Sequence, residues 1–228
     1  MARSRYNFDI AFCIDASEGM MLHLPAVKKQ VLRIVEGIKT MMTDACQIVR
    51  SMRVRLIVFR SFKYDGVEAI NTTEFFDLPQ EREPFLSELN AISPIMGGGS
   101  RAQSGLEALV YAIRSQWNRG GAHADGVSER YRNLIYLWTC SAACELGEGK
   151  ENELYPKLGM ARTFEELSAL WEDEARLNSI VLTLFAPDGG RWRDISNGWS
   201  NVIHFLSNAG EGLDDLSFNQ ILHIAYDL

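Results

Sequence analysis

Phe8-Asp9-Ile10-Ala11-Phe12-Cys13-Ile14-Asp15-Ala16-Ser17-Glu18-Gly19 decides how the rest of the chain is read. Phe8 to Ile14 is a short run rich in aromatic and β-branched side chains that ends in an acid, the pattern of a buried strand. The next stretch has helical spacing: Pro25 suits a first helical turn, and Val27, Val31, Ile34, Val35 and Ile38 share one face through Thr40. A buried strand leading into an amphipathic helix is the opening unit of an α/β sheet.

Outward from that unit the alternation continues. Val54 to Phe59 reads as a second strand, and Gly66 to Asp77 as a third, paired with it as a hairpin after a turn at Asp65-Gly66. Glu81 to Ile92 has helical periodicity and stops before Pro94. Gly97-Gly98-Gly99-Ser100 is a loop that opens a helix over Ala102 to Trp117, with Leu106, Leu109, Val110 and Ile113 as its core face. Arg119 to Arg132 is Gly-rich and polar, a loop, and Leu134 to Thr139 returns as a strand. Ser141 to Arg162 has little periodicity and is longer than a compact domain ordinarily tolerates, which marks a functional loop. Thr163 with Glu166 forms a capping box for a helix through Leu177; Ile180 to Phe185 and Trp199 to Leu206 are strands, and Leu213 to Ala225 is a closing helix. The expected fold is α/β: a three-layer, doubly wound, mostly parallel sheet with one antiparallel edge, in a single domain over residues 1–228.

Composition narrows the function. The chain of 228 residues has a formal charge of −7, which argues against a nucleic-acid or anionic-membrane partner, since these need clustered Lys and Arg. The densest basic stretch, Arg50 to Arg60, alternates charge with apolar residues as a strand rising from the surface does. No apolar run reaches the roughly 20 residues that cross a bilayer, and MARSRYNFDIAF lacks a signal peptide's h-region, so the expected location is the cytoplasm. Cys13, Cys46, Cys140 and Cys144 are too scattered for a disulfide scaffold, and the Cys140–Cys144 spacing is not that of a zinc knuckle; a zinc site from these two with His123 or His204 is the alternative.

In open sheets of this kind ligands bind beyond the carboxyl ends of the strands. Three loops meet there: Asp15-Ala16-Ser17-Glu18-Gly19, Ser100 of the glycine loop, and Thr139-Cys140-Ser141. A carboxylate and two hydroxyls are hard oxygen donors suited to Mg²⁺ or Mn²⁺. In that order and spacing, with an apolar strand ending Val58-Phe59-Arg60, the chain resembles the von Willebrand factor type A (VWA) family and its metal-ion-dependent adhesion site. Phe185-Ala186-Pro187-Asp188 and Trp199 to Leu206 are also similar to bacterial stand-alone members, including those of tellurite-resistance-type and other stress or conflict systems. The resemblance implies a protein–protein interaction module in which a partner's acidic side chain completes a metal's coordination. Asp15 and Ser17 match the family's metal ligands, and Ser100 substitutes for the hydroxyl of the glycine loop. Gly19 stands where the family has a second serine, and Cys140 where it has an aspartate. Sulfur is a soft ligand poorly suited to Mg²⁺. The site then has two readings: a weakened metal site at Asp15, Ser17 and Ser100, or a metal-free one in which Asp15 bonds loop amides and Ser17 caps the next helical turn.

Other classes of function have weaker signals. Asp15 to Gly19 is one residue from the Gly-x-Ser-x-Gly nucleophile elbow, and Asp188 with His204 or His223 would complete a serine-hydrolase order around Ser17, but Asp15 stands where the crowded turn needs glycine. Gly97 to Ser100 offers amides for a phosphate yet lacks the Lys-Ser/Thr of a P-loop. The expectation is therefore binding of another protein rather than catalysis. Metal-free docking by Asp15, Ser17, Ser100 and Cys140 at the floor, with the 141–162 loop as a wall, is favoured; Trp192, Trp199 and Phe205 offer aromatic surface for a partner, with Phe205 rather a core residue, and Pro187 to Asn197, with Gly189-Gly190-Arg191-Trp192-Arg193, is an exposed adhesive segment.

Overall fold

The computed structural model describes residues 5–95, 102–119, 129–206, 209 and 219–223. Strand β1 (Arg5–Asp15) is the central strand, parallel to β2 (Ile48–Phe59) on one side and to β6 (Glu129–Trp138) on the other. Helix α1 (Leu24–Asp44) returns the chain from β1 to β2. Beyond β2, β3 (Ile70–Thr72) and β4 (Phe76–Leu78) pair antiparallel with it, and α2 (Arg82–Ala91) comes next in the chain. A two-stranded parallel pair, β5 (Ala102–Gln103) with β7 (Ala142–Ala143), brackets α3 (Gly105–Ile113) and β6. Helix α4 (Phe164–Asn178), β8 (Ile180–Ala186), α5 (Gly190–Gly198) and β9 (Val202–Leu206) complete the order β3-β2-β1-β6-β8-β9.

Alternation along β1 builds the three layers. Phe8, Ile10, Phe12 and Ile14 pack on one face with Val27, Val31 and Ile34 of α1 and with Phe85 and Leu89 of α2. Ala11 and Cys13 face the other way, onto Leu109 and Ile113 of α3, Trp171 of α4 and Trp192 of α5. Successive side chains of a strand point to opposite faces, so a strand buried on both sides is apolar throughout. Asp9 in the middle of the strand is an exception, and it is paired: Arg53 makes a two-pronged bond to its carboxylate, and the Asn118 amide donates to it as well.

The expected α/β architecture with an antiparallel edge is present. Several boundaries differ. The hairpin partner of β2 is two short strands, β3 and β4, because a 3-10 turn at Gly66–Glu68 delays the first and residues 73–75 interrupt the pairing. Ala102 and Gln103 belong to a strand pair rather than to α3, since the Gln103 carbonyl accepts the Cys144 amide and the Ser104 amide donates to the Arg60 carbonyl. Residues 129–132, expected in a loop, open β6. At α4 the Thr163 hydroxyl accepts the Glu166 amide as expected, but Glu166 reaches back to the Arg162 amide instead of Thr163. Residues 219–223 are helical, within the expected closing helix, and the rest of that stretch lies outside the described residues. Among the described residues no helix is long and apolar enough to cross a membrane.

Candidate functional site at the carboxyl edge of the sheet

Asp15 ends β1, Phe59 ends β2 and Trp138 ends β6, so the segments after them leave the sheet side by side. The Ala16 amide donates to the Phe59 carbonyl, the Ile95 amide to the Ala16 carbonyl, and the Thr139 amide to the Phe185 carbonyl. Arg60 cross-links this edge. Its guanidinium is buried and donates to the carbonyls of Ala16, Glu68 and Ser93, joining three segments that share no strand pairing. Such a cation satisfies carbonyls that a tight loop cluster would leave bare.

Asp15 is fully buried, and both of its oxygens are engaged within the chain. Oδ1 accepts the Ser17 amide at 2.8 Å and Oδ2 accepts the Thr139 hydroxyl at 2.6 Å. Thr139 Oγ1 in turn accepts the Ser141 amide at 2.9 Å, so the acid at the end of β1 fixes the turn after β6. Burial pushes the Asp15 carboxyl above the ordinary range, and the bonds from Thr139 and Ser17 oppose that only in part. The Ser17 side chain does not cap the 3-10 turn after it, Glu18–Met20, and its buried hydroxyl has no hydrogen-bond partner among the described residues.

Gly19 and Cys140 share one space. A Cβ at residue 19 would stand 3.1 Å from Cys140 Sγ and 3.9 Å from the hydroxyl oxygens of Ser17 and Ser141. The thiol therefore lies where a side chain at 19 would project, half-buried, with burial and the neighbouring Asp15 both raising its pKa. Ser100 and the rest of Gly97 to Ser100 lie outside the described residues. The described part of the site offers the Asp15 carboxylate, held by internal bonds, the hydroxyls of Ser17 and Ser141 beside it, and sulfur in place of a second acid. Mg²⁺ and Mn²⁺ demand several hard oxygen ligands, and the described residues by themselves supply few of them. Among the described residues no three His, Cys, Asp or Glu side chains are grouped for a metal, which includes Cys140, Cys144 and His204.

The 144–155 segment stands over the α3 side of this edge. Asn152 donates to the carbonyls of Phe62 and Gly66, and the Phe62 and Tyr155 rings meet edge to face at 4.9 Å. Gly149 permits the contact: a Cβ there would lie 2.6 Å from the Lys63 nitrogen and from the Phe62 carbonyl carbon, and its φ of +84° disfavours any other residue. From α3, Glu107 receives the Gly147 amide and the Tyr155 hydroxyl.

One sequence expectation is corrected. Pro187 to Asn197 is largely helix α5, and Trp192 and Trp199 are core residues rather than exposed ones, 1% and 7% exposed. Trp192 lies against Gly105, donates to the Ser141 carbonyl, and is flanked by Arg191 and Arg193, which turn outward to Glu145 and Asp188. Asp188 pairs with Arg193, and His204 bonds the Ala186 carbonyl. Arg60, Ser104 and Glu107 carry no sequence motif for the roles they play. An acid three residues before Val110 on an apolar helix is the available signal for Glu107.

No family model matches the sequence, and no curated protein matches it. Proximal thread matrix protein 1 from mussel byssus aligns with a TM-score of 0.53 and 11% identity, over 99% of this chain and 49% of that one. The pilus adhesin SpaC of Lactobacillus rhamnosus GG aligns with a TM-score of 0.53 and 12% identity, over 97% of this chain and 31% of that one. A further structure of the mussel protein, described with a zinc-occupied MIDAS motif, aligns at 0.48 with 12% identity, over 98% of this chain and 46% of that one. The chain thus spans about half or less of the length of these structures. At such identities the likeness speaks to the fold alone, which is a VWA-like, Rossmann-like three-layer α/β fold.

Proposed function

We propose that this chain is a non-enzymatic, VWA-type protein-interaction module that docks a partner on the carboxyl edge of its sheet without a bound metal. The observation that carries this reading is the distribution of exposed apolar side chains. Met21 and Leu22 come after β1, Tyr64 and Val67 after β2, Leu154 lies in the segment clamped over that turn, and Leu206 ends β9. Leu22 is 86% and Val67 74% exposed. Elsewhere among the described residues the exposed large apolar side chains are Ile48, which opens β2, and Leu177, two residues before the Ser179 turn into β8, both at the opposite edge, and Leu158, 92% exposed, next to Gly159, which faces Arg114 at the end of α3. Apolar side chains gathered on one polar-rimmed edge mark an interaction surface.

Metal independence is supported by the Gly19–Cys140 contact and by the two internal bonds that occupy Asp15. A place in a bacterial stress or conflict-system complex is supported by the sequence resemblance alone. The test is site-specific photo-crosslinking in the source cells from Leu22, Val67 and Leu154, against Ile48 and Leu177, with and without a chelator. Discrete adducts from the carboxyl edge that survive chelation are expected. Adducts from the opposite edge alone, or their loss on chelation, would overturn the reading.

A further inference from the structure

Helix α3 is buried along nearly its whole surface, and its single acid, Glu107, is itself fully buried. Two of its partners come from the wall segment, the Gly147 amide at 3.3 Å and the Tyr155 hydroxyl at 3.1 Å, both on Oε1, and its own backbone amide in the first turn of α3 is a third. The Gly147 amide also reaches Tyr155 Oη at 3.1 Å, so the three groups form one knot between helix and segment. Oε2 is buried and has no hydrogen-bond partner among the described residues. The ionisable groups around the carboxyl are Cys144, Glu148 and Tyr155 from the wall segment and Tyr111 from its own helix; Lys63, from the turn after β2, acts on Cys144 rather than on Glu107 directly.

An ionised carboxylate in this position is costly, because one oxygen is desolvated without a donor and Glu148 adds like charge. A neutral carboxyl keeps the Oε1 bonds and avoids that cost. We propose that Glu107 is a protonation-operated latch: neutral, it fastens the 144–155 segment onto α3, and ionised, it releases the segment.

Burial places the pH at which this happens. It lifts the carboxyl from 4.5 to about 7, opposed by the bonds from its own backbone amide, from Gly147 and from Tyr155, with Glu148 adding to the rise. Because the closed-state value is the higher one, the latch's contribution is complete below pH 4.5 and is lost as pH rises through about 7. The gap between 4.5 and about 7 corresponds to a change of about 300-fold in the closing equilibrium between the two limits. The consequence for partner capture rests on the docking reading above, since the segment is the wall of that edge: capture should weaken as pH rises from 4.5 to about 7 and change little above that. The latch itself needs no partner.

Hydrogen exchange of the amides in 144–155, corrected for intrinsic rates and followed from pH 5 to 9, tests it on the full chain. Log protection should fall between pH 5 and about 7 with a midpoint at about 6, by roughly 75-fold, and level off at higher pH, and Glu107→Gln should remove the dependence. Protection that is flat in the wild type, or that keeps the same midpoint in Glu107→Gln, would overturn the proposal. If the variant does not fold, carbon-13 carboxyl NMR of Glu107 in the wild type decides. Titration coincident with release of the segment supports the latch, and titration at the ordinary glutamate value, or at a pH unrelated to release, refutes it. Neither measurement involves a partner, so failure of the docking reading would leave both results interpretable.

Discussion

Gly19→Ala should destabilise the wild-type chain and stabilise a Cys140→Ala chain. In the wild type the new Cβ would stand 3.1 Å from the Cys140 sulfur, inside the roughly 3.5–4.0 Å at which even carbon atoms meet comfortably. Overpacking costs about 1–3 kcal/mol, and the lower end applies because the thiol is half-buried and can rotate. Set against this, Gly→Ala at a position the new residue can adopt gains about 0.4–1 kcal/mol through the unfolded chain. Gly19 is such a position, since its φ is not in the left-handed region. The net expectation is a loss of about 0.5 kcal/mol in the wild type. With Cys140→Ala the obstructing sulfur is gone and only the gain remains, about 0.5 kcal/mol, giving a coupling near about 1 kcal/mol. Denaturant unfolding of the four chains at a common slope measures it through their midpoints. If Gly19→Ala has the same effect in both backgrounds to within about 0.3 kcal/mol, the thiol does not fill that space and the account of the closed site fails.

Thr139→Val removes the hydroxyl that donates to Asp15 Oδ2 and is expected to cost about 1–3 kcal/mol in unfolding free energy; a neutral result would show that the Asp15 carboxyl does not depend on this bond. Gly105→Ala would place a Cβ 2.7 Å from the Trp192 ring in a closed core, so a loss of about 1–3 kcal/mol should outweigh the gain in helix propensity, and a more stable variant in thermal melts would contradict that packing.

The parts of the fold legible in the sequence were those buried on both faces. β1 and β8 are apolar along most of their length because helices cover each side of them. The amino-terminal half of β2 was not legible because its polar residues are spent on neighbours: Ser51 bonds Asn7, and Arg53 bonds Asp9. Buried polar pairs of this kind carry no hydrophobic period to read. Trp192 misleads for a related reason. Arginines on either side suggest exposure, yet in a helix neighbours a residue apart point in different directions, and this one points at Gly105.

At the site, Asp15 and Ser17 were legible from their position at a strand's carboxyl end, and so was the mismatch at Gly19 and Cys140. That the mismatched pair meets in one space was not legible, because 121 residues separate them and only the β1–β6 pairing brings them together. The latch residue was hidden by its own helix, where one acid among Leu106, Ala108, Leu109 and Val110 reads as a solvated position until the 144–155 segment is placed above it.

Isothermal titration of the metal-stripped protein with Mg²⁺ and Mn²⁺, beside Asp15→Asn as control, tests the closed, metal-independent edge most directly. The account predicts no saturable heat at millimolar metal in either chain. Saturable binding in the wild type that disappears in Asp15→Asn would contradict it.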